Sequence, residues 1–449
     1  MKKRVLALVL AAALICPMLF SAACKKEAPT ITVWVGEESA EFYQGLLDQY
    51  KTDNEVPYQI VVKGVDSSSA AASFLNDPEA GADIFTVPHD NLAKLIGTSP
   101  VIAPVTDSAL LAQIEADNSE SFRQVITSKI NDRSYVFAVP YISQALVLFY
   151  NKALVSEEQV KTWEGITEAA AAAGPDVKAC TVMGNDGYNF SYLLLARQLP
   201  ENSSTLRLYV DGVLNDCYCS GDDTLSVLRW GQRFFADPNG GSFKGTDDFA
   251  TLLADGKVLS LVGGAWKFQS VKTALGDDLG ITLLPTFTVT AEDVEGTSIP
   301  AGTEFRSGTF ADCKVLVKSA YVDDEKDAWL DKIMLFLSSK EVQEQSFEQC
   351  NNLPAYKNAA EEFAAMKLDS NEARLAAMQV SMAGYGIPQP FAAHKFANQF
   401  YYSSGAPDIF MDLINRYDTA TQTEAYTTLD EMKACLARIE TIWKTGKAN

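Results

Sequence analysis

The chain has 449 residues and a formal charge of −21, with 47% hydrophobic and 21% charged residues. That length suits two lobes of ordinary domain size better than one core, and the apolar share excludes wholesale disorder. So acidic a surface repels phosphate backbones and anionic lipid heads, which argues against nucleic acid as a partner.

The N-terminus reads as an export signal. Lys2-Lys3-Arg4 is basic, and Val5–Phe20 is apolar but too short for a comfortable membrane span. Ser21-Ala22-Ala23 then run up to Cys24. This resembles the lipobox of bacterial lipoproteins, in which the Cys is diacylated and becomes the new N-terminus. Ser21 departs from the usual Leu. On this reading residues 1–23 are a signal peptide, Cys24 carries lipid that anchors the chain to the membrane, and residues 24–29 form a tether. Plain secretion after an A-x-A-like site is the alternative. Six cysteines remain, and their spacing selects no disulfide pairing. Cys217-x-Cys219 lacks the four close ligands that zinc requires, since His89 and His394 are the only imidazoles; no metal is expected.

Ile31–Val35 reads as a buried strand. Phe42, Tyr43, Leu46, Leu47 and Tyr50 then repeat at the helical period. Pro57 breaks that helix, and Tyr58–Val62 is the next strand. Ser67-Ser68-Ser69 can cap a helix over Ala70–Asn76, and Asp83–Val87 is a third strand. Strands alternating with helices at this spacing predict a parallel α/β sheet. Ligand sites in such sheets lie beyond the carboxyl ends of the strands, which puts Glu37, Glu38, His89 and Asp90 at a rim. Asp90 can equally cap a helix over Asn91–Ile96.

Tyr135–Lys152 is apolar except for Tyr141, Ser143 and Gln144 at its midpoint, with a strand expected to stop at Pro140. The residues alone leave two readings, a buried strand pair with a tight turn or a strand passing from one sheet to another. A helix follows from Lys161 to Ala173, halted by Gly174-Pro175, and Leu193–Leu199 and Asp223–Phe235 also look helical. Asp237–Gly245 lacks the carboxylate spacing of a calcium loop and is a turn. Val258–Val262 is a strand delivering Gly263-Gly264-Ala265-Trp266, and Ile281–Leu284 is another, ending at Pro285-Thr286-Phe287. Helices are expected over Glu325–Leu337, from Ser338-Ser339 through Cys350, and over Phe396–Tyr402, Ile409–Tyr417 and Thr428–Trp443.

Several ordered landmarks belong together. Pro140, Ala145, Leu146, Tyr150, Asn151 and Lys152, then Lys161-Thr162-Trp163-Glu164, the Gly264–Trp266 loop, Leu284-Pro285-Thr286-Phe287, Phe336-Leu337-Ser338-Ser339 and Leu353-Pro354-Ala355 fall in one order along the chain. In this the chain resembles the maltose-binding-protein-like extracellular solute-binding proteins, the binding subunits of ABC sugar importers. The resemblance implies an α/β, two-lobed periplasmic-binding-protein-like fold of type II, each lobe a mainly parallel sheet flanked by helices. Lobe I would comprise 30–142 and 313–368, and lobe II 143–312 and 369–449. Gly302–Val317 would be the second crossing, with a third near Leu368–Asn371. It implies a monomer that binds a saccharide between the lobes and hands it to the transmembrane permease, with no cofactor.

Sugar sites need aromatic faces for pyranose rings and planar polar groups for vicinal hydroxyls. The resemblance gives Trp266 and Tyr188 as stacking platforms, with Asp186, Asp90 and Gln144 as polar contacts; Gln144 stands where maltose binders have Glu. Two platforms of maltodextrin binders are missing, with Val87 at one position and His394 at the other. This argues against a long maltodextrin lying in the standard way, unless Tyr385 or Phe391 substitutes. No Lys or Arg stands at the named positions, which favours a neutral sugar. Two other functions are open: a surface glycosidase using paired carboxylates such as Asp90 and Asp186, and a sugar sensor without transport. Against hydrolysis, the chain has no G-x-S-x-G, H-E-x-x-H, P-loop or dinucleotide fingerprint.

Overall fold

The structure is a computed structural model. It describes residues 29–445 except 98, 185, 201–204, 206, 211–212, 244–247, 358, 360–361, 363–369, 388 and 390–404. The leader, Cys24, Phe391, His394 and the helix expected at Phe396–Tyr402 lie outside the described residues, as does most of the segment expected to hold the third crossing.

The first lobe builds as alternating strands and helices: β1 (Thr30–Val35), α1 (Ala40–Asp53), β2 (Gln59–Gly64), α2 (Ser67–Asn76), β3 (Ile84–Pro88), α3 (Leu92–Ile96) and the short β4 (Ile102–Ala103). β1 pairs in parallel with β2 on one side and β3 on the other. The α2 cap is Asp66, whose carboxylate accepts from Ser69 N at 3.1 Å, so the three serines form the helix's first turn.

The chain then makes a hairpin, Thr127–Ile130 with Arg133–Val136, before β5 (Val139–Gln144). Tyr135 and Val136 therefore belong to the hairpin, and Pro140 lies inside the next strand instead of ending one. Pro140 is tolerated because it sits at a register shift against the neighbouring strand, where a ladder N–H is not required. β6 (Val147–Asn151) follows after two residues, in a different sheet. Of the two readings open from the sequence, the chain takes the passage between sheets.

The second lobe continues with α4 (Trp163–Ala173), β7 (Lys178–Thr181), α5 (Gly187–Leu194), α6 (Asp222–Ala236), β8 (Gly241–Ser242), β9 (Val258–Gly263) and β10 (Leu279–Thr282). Its sheet order is β8-β7-β9-β6-β10. The Lys161–Glu164 motif is structural. Thr162 caps α4 through Gly165 N at 3.0 Å, buried Trp163 donates to Ser307 Oγ at 2.9 Å, and Glu164 accepts from Trp230 Nε1 and Thr288 N, each at 3.1 Å. The helix expected over Leu193–Leu199 starts earlier and ends at Leu194, because Asp186 caps it at Gly187. Arg197-Gln198 are instead a strand against Glu304–Arg306.

The chain returns through β11 (Asp312–Ser319), which runs antiparallel to β3, β4 and β5. Each sheet thus has a parallel heart, β2-β1-β3 or β8-β7-β9, flanked by antiparallel strands at the crossings. α7 (Asp324–Leu337) and α8 (Lys340–Cys350) follow, the latter capped by Ser339, then α9 (Asn371–Tyr385). Beside a small third cluster of Phe347, Leu353, Tyr356, Ala359 and Ala376, two large apolar cores result among the described residues. One gathers Ile31–Ile142 side chains with Cys313–Val342, the other gathers Ala145–Phe310 with residues from Leu375 to Trp443.

Between the cores the segments are tied by buried hydrogen bonds. Leu146 N donates to Thr309 Oγ1 at 2.9 Å, Gln379 Nε2 to Ala145 O at 3.0 Å, and Ala311 N to Ile387 O at 2.8 Å. The Leu353–Ala355 turn joins the same seam, since Ser143 N donates to Leu353 O at 2.6 Å. Asp312 lies fully inside it. Its Oδ1 accepts from Gln389 N at 2.9 Å, its Oδ2 from Gln389 Nε2, and His89 Nε2 stands 3.8 Å away. Burial raises the Asp312 carboxyl to about 6, against the opposing pull of His89 and the Gln389 bonds. Cys180, Cys313, Cys350 and Cys435 are free thiols.

Thr309→Val keeps the shape but strands the buried Leu146 N–H. The expected loss is about 1–3 kcal/mol, read as a lower urea midpoint with unchanged m-value. Because the folded-state pKa of Asp312 is raised, its protonated form is the one folding favours. Its contribution to stability is fully present below about pH 4 and lost as pH rises through about 6. Melting curves of Asp312→Asn minus wild type should therefore rise in the variant's favour across that window; a flat difference would show that Asp312 titrates normally.

Candidate ligand-binding cleft

β1, β2 and β3 all end at the side of lobe I from which β5 departs, so the residues after them gather at one edge. Glu37 and Glu38 follow β1, Asp66 follows β2, and a single turn, His89–Asn91, follows β3. His89 is fully buried and sets Nδ1 3.3 Å from Cys313 O and Nε2 2.5 Å from Gln389 O, so it is a structural residue. Its neighbour Asp90 accepts from Asn91 Nδ2 at 3.2 Å. α3 has no side-chain cap, so Asp90 is not the cap that its position allowed. Burial raises the Asp90 carboxyl, while His89 and Lys94 pull it down.

From the second lobe, Asp186 takes the capping role. Its Oδ1 accepts from Tyr188 N at 2.7 Å and its Oδ2 from Asn189 Nδ2 at 3.1 Å. Burial raises its pKa, and the charge on Asp90 adds to the rise, so a carboxylate of the first lobe acts on one of the second. Tyr188 stands among them. Its ionisation is suppressed by burial and then by Asp312, Asp186 and Asp90. Its buried hydroxyl has no hydrogen-bond partner among the described residues.

The Tyr188 ring stacks on Phe310 with centroids 6.0 Å apart and meets Trp266 at 5.8 Å and 55°. Trp266 sits on the turn Ala265–Lys267 after β9 and is 44% exposed, which no core tryptophan would be. Gly264 explains the loop: the indole lies where a Cβ at that position would fall. Gln144 ends β5 opposite Asp312 in register, is 9% exposed, and makes no side-chain hydrogen bond among the described residues. Trp266, Tyr188, Asp186, Asp90 and Gln144 thus belong to one neighbourhood. Glu38 stands farther along the lobe I edge, beside Lys314. The exposed side chain of Glu37 lies there too, its backbone packed against Gly64. His394 is outside the described residues.

Sequence reasoning missed Asp312, Lys314 and Phe310. The signal was present, since Asp312 and Lys314 alternate with Cys313 and Val315 at the start of an otherwise apolar strand. A polar residue at period two in a buried run faces something other than core. Lys314 also revises the picture of a cleft with no cation. A separate cavity of about 600 Å³, lined by residues including Glu158, Lys161, Glu168, Glu304 and Arg306, shares none of these residues.

Comparison with known proteins agrees with this architecture. The chain is 22% identical over 390 residues to the galactooligosaccharide-binding protein of Bacillus subtilis (strain 168), covering 82% of this chain and 83% of that one. It is also 22% identical over 346 residues to the maltooligosaccharide ABC transporter solute-binding lipoprotein of Streptococcus pneumoniae (strain ATCC BAA-255 / R6), covering 73% of each. Among solved structures, the maltodextrin binding protein MalE1 from L. casei BL23 superimposes with a TM-score of 0.70 at 18% identity, over 93% of this chain and 99% of that one. MalX from Streptococcus pneumoniae, solved with maltopentaose, gives 0.68 at 17% identity, over 93% and 100%. Residues 45–374 match the family described as bacterial extracellular solute-binding protein, and the chain belongs to that family.

Proposed function

We propose that this protein is the substrate-binding lipoprotein of an ABC importer, which captures a neutral saccharide reversibly between its lobes and delivers it to a membrane permease. The observation that carries this reading is the pairing of an exposed indole, Trp266, with Tyr188, beside carboxylates from both lobes. The aromatic pair offers a face for the apolar side of a pyranose ring, and Asp90, Asp186 and Gln144 offer acceptors and donors for its hydroxyls. The names of the relatives, a galactooligosaccharide binder and a maltooligosaccharide transporter lipoprotein, support the same ligand class. Asp186 is held in place by the hydrogen bonds that start α5, and each of its oxygens keeps a lone pair for a sugar hydroxyl, which suits a fixed acceptor better than the nucleophile or acid of a glycosidase. Glu37, Glu38 and His394 complete the proposed ligand-facing set. Cys24 would hold the domain by lipid on the extracytoplasmic face of the membrane, with the domain acting as a monomer.

Thermal shift against maltotetraose and galactooligosaccharides should raise the melting temperature by mass action, and chromatography after long incubation should recover the sugar intact. Cleavage that vanishes in Asp90→Asn would transfer the protein to the hydrolases. Trp266→Ala should weaken saccharide binding by about 1–3 kcal/mol in calorimetry while leaving the unliganded melting temperature unchanged; normal affinity would remove Trp266 from the site. Mass spectrometry of the native protein should find a diacylglyceryl group on Cys24, and a soluble form beginning elsewhere would discard the anchor.

A further inference from the structure

Two lysines stand four residues apart on β11, and the protein treats them differently. Lys318 lies at the far end of the strand, 1% exposed, with its ammonium 2.8 Å from Asp327 and 2.9 Å from Asp331. Lys314 lies at the cleft end, in register with Pro88 on β3 and Ile142 on β5. Its side chain is 13% exposed, yet the ammonium has only one ionic neighbour among the described residues, Glu38 Oε1 at 3.9 Å, beyond hydrogen-bond reach. No protein acceptor takes any of its three donors among those residues. Burial lowers its pKa, and Glu38 and then Asp66 partly restore it.

An ammonium drawn out of water without hydrogen bonds is costly. Lys318 shows that the fold can bring two carboxylates, here from α7, to a buried cation on this strand. At Lys314 the described residues supply none within hydrogen-bond reach, while the group stands at the carboxyl ends of β1, β2 and β3, where a ligand enters.

We propose that Lys314 is a ligand-contacting residue that sets specificity, donating to a hydroxyl oxygen of the saccharide while Glu38 accepts from a neighbouring hydroxyl. This rests on the saccharide reading of the cleft. A donor and an acceptor 3.9 Å apart match a vicinal diol, which offers both roles on adjacent carbons. Glu38 and Asp66 next to Lys314, with Asp90 and Asp186 deeper in, disfavour an anionic sugar, so the fitting ligand is neutral and diol-bearing at the unit bound by lobe I.

Calorimetry with maltotetraose and with a galactooligosaccharide tests this on wild type, Lys314→Met and Lys314→Gln. Met keeps the stem and removes the charge, and Gln restores one donor. The expected result is a 10- to 100-fold weaker affinity for Met, partial recovery for Gln, and an unliganded melting temperature that does not fall in either. Wild-type affinity in Lys314→Met would overturn the proposal, as would an affinity loss matched by a fallen melting temperature in both variants, which would make Lys314 structural. Should wild type bind neither sugar, the saccharide reading itself fails, and that result is distinct from equal binding by wild type and variant.

Discussion

The rung between Gln144 and Asp312 is the constraint from which the site follows. There the strand leaving lobe I and the strand returning to it lie side by side as antiparallel neighbours. Both passages between the sheets therefore share one seam, and the carboxylate of Asp312 is sealed within it. A buried carboxylate has to be satisfied. Gln389 does so with both its backbone N–H and its side chain, which draws a third segment into the seam, and His89 closes the remaining side. With His89 held by Cys313 and Gln389, its neighbour Asp90 is anchored at the lobe I edge, near enough for its charge to act on Asp186 of lobe II. One buried acid thus ties three segments of the seam together and anchors the residue before Asp90.

This arrangement is expensive by design of position. An apolar side chain in the place of Asp312 would pack without a desolvation cost, and like charges on Asp90 and Asp186 oppose their own approach. The costs fall at the seam and the cleft mouth. The cores on either side are ordinary packed apolar clusters, as where Trp163, Trp230, Phe234 and Phe287 stack in lobe II.

Much of the fold was legible because its signals are local. Alternating strands and helices up to Pro88, the helix halted by Gly174-Pro175 and the long amphipathic stretches each depend on neighbours within a few residues. The misreadings share one cause. Pro140 looked like a stop because a strand's partner, and so its register shift, is not visible in its own sequence. Leu193–Leu199 looked helical by composition, while the Asp186 cap had already set the phase seven residues earlier. In the site, the exposed indole of Trp266 was foreshadowed by the two glycines before it, since a ring folded back over Gly264 needs the missing Cβ. Asp90 and Asp186 were both named as polar contacts, with a capping alternative weighed for Asp90 alone, whereas Asp186 is the residue that caps. Either residue type suits a cap, and only the backbone geometry around it decides. Lys314 and Asp312 escaped notice because their importance comes from Glu38 and His89, which are more than 200 residues away.

On the proposed reading, the same electrostatics explain how a ligand would govern closure. A two-lobed protein samples open and closed forms, and a ligand shifts that balance only by contacts it gains on closing. Asp90 and Asp186 come from opposite lobes, and the charge on Asp90 adds to the raised pKa of Asp186, so bringing the two together is unfavourable when only protein groups face each other. A hydroxyl-rich ligand between them donates to both and replaces repulsion with hydrogen bonds. An acceptor-only ligand would not relieve the acids at all. Closure would therefore be selective for polyols before any detail of ring shape is read. The aromatic pair Trp266 and Tyr188, both on lobe II, would bind such a ligand in either state and so contribute affinity without driving closure. The division assigns capture to the aromatic wall and the closing step to the acids that face each other across the gap.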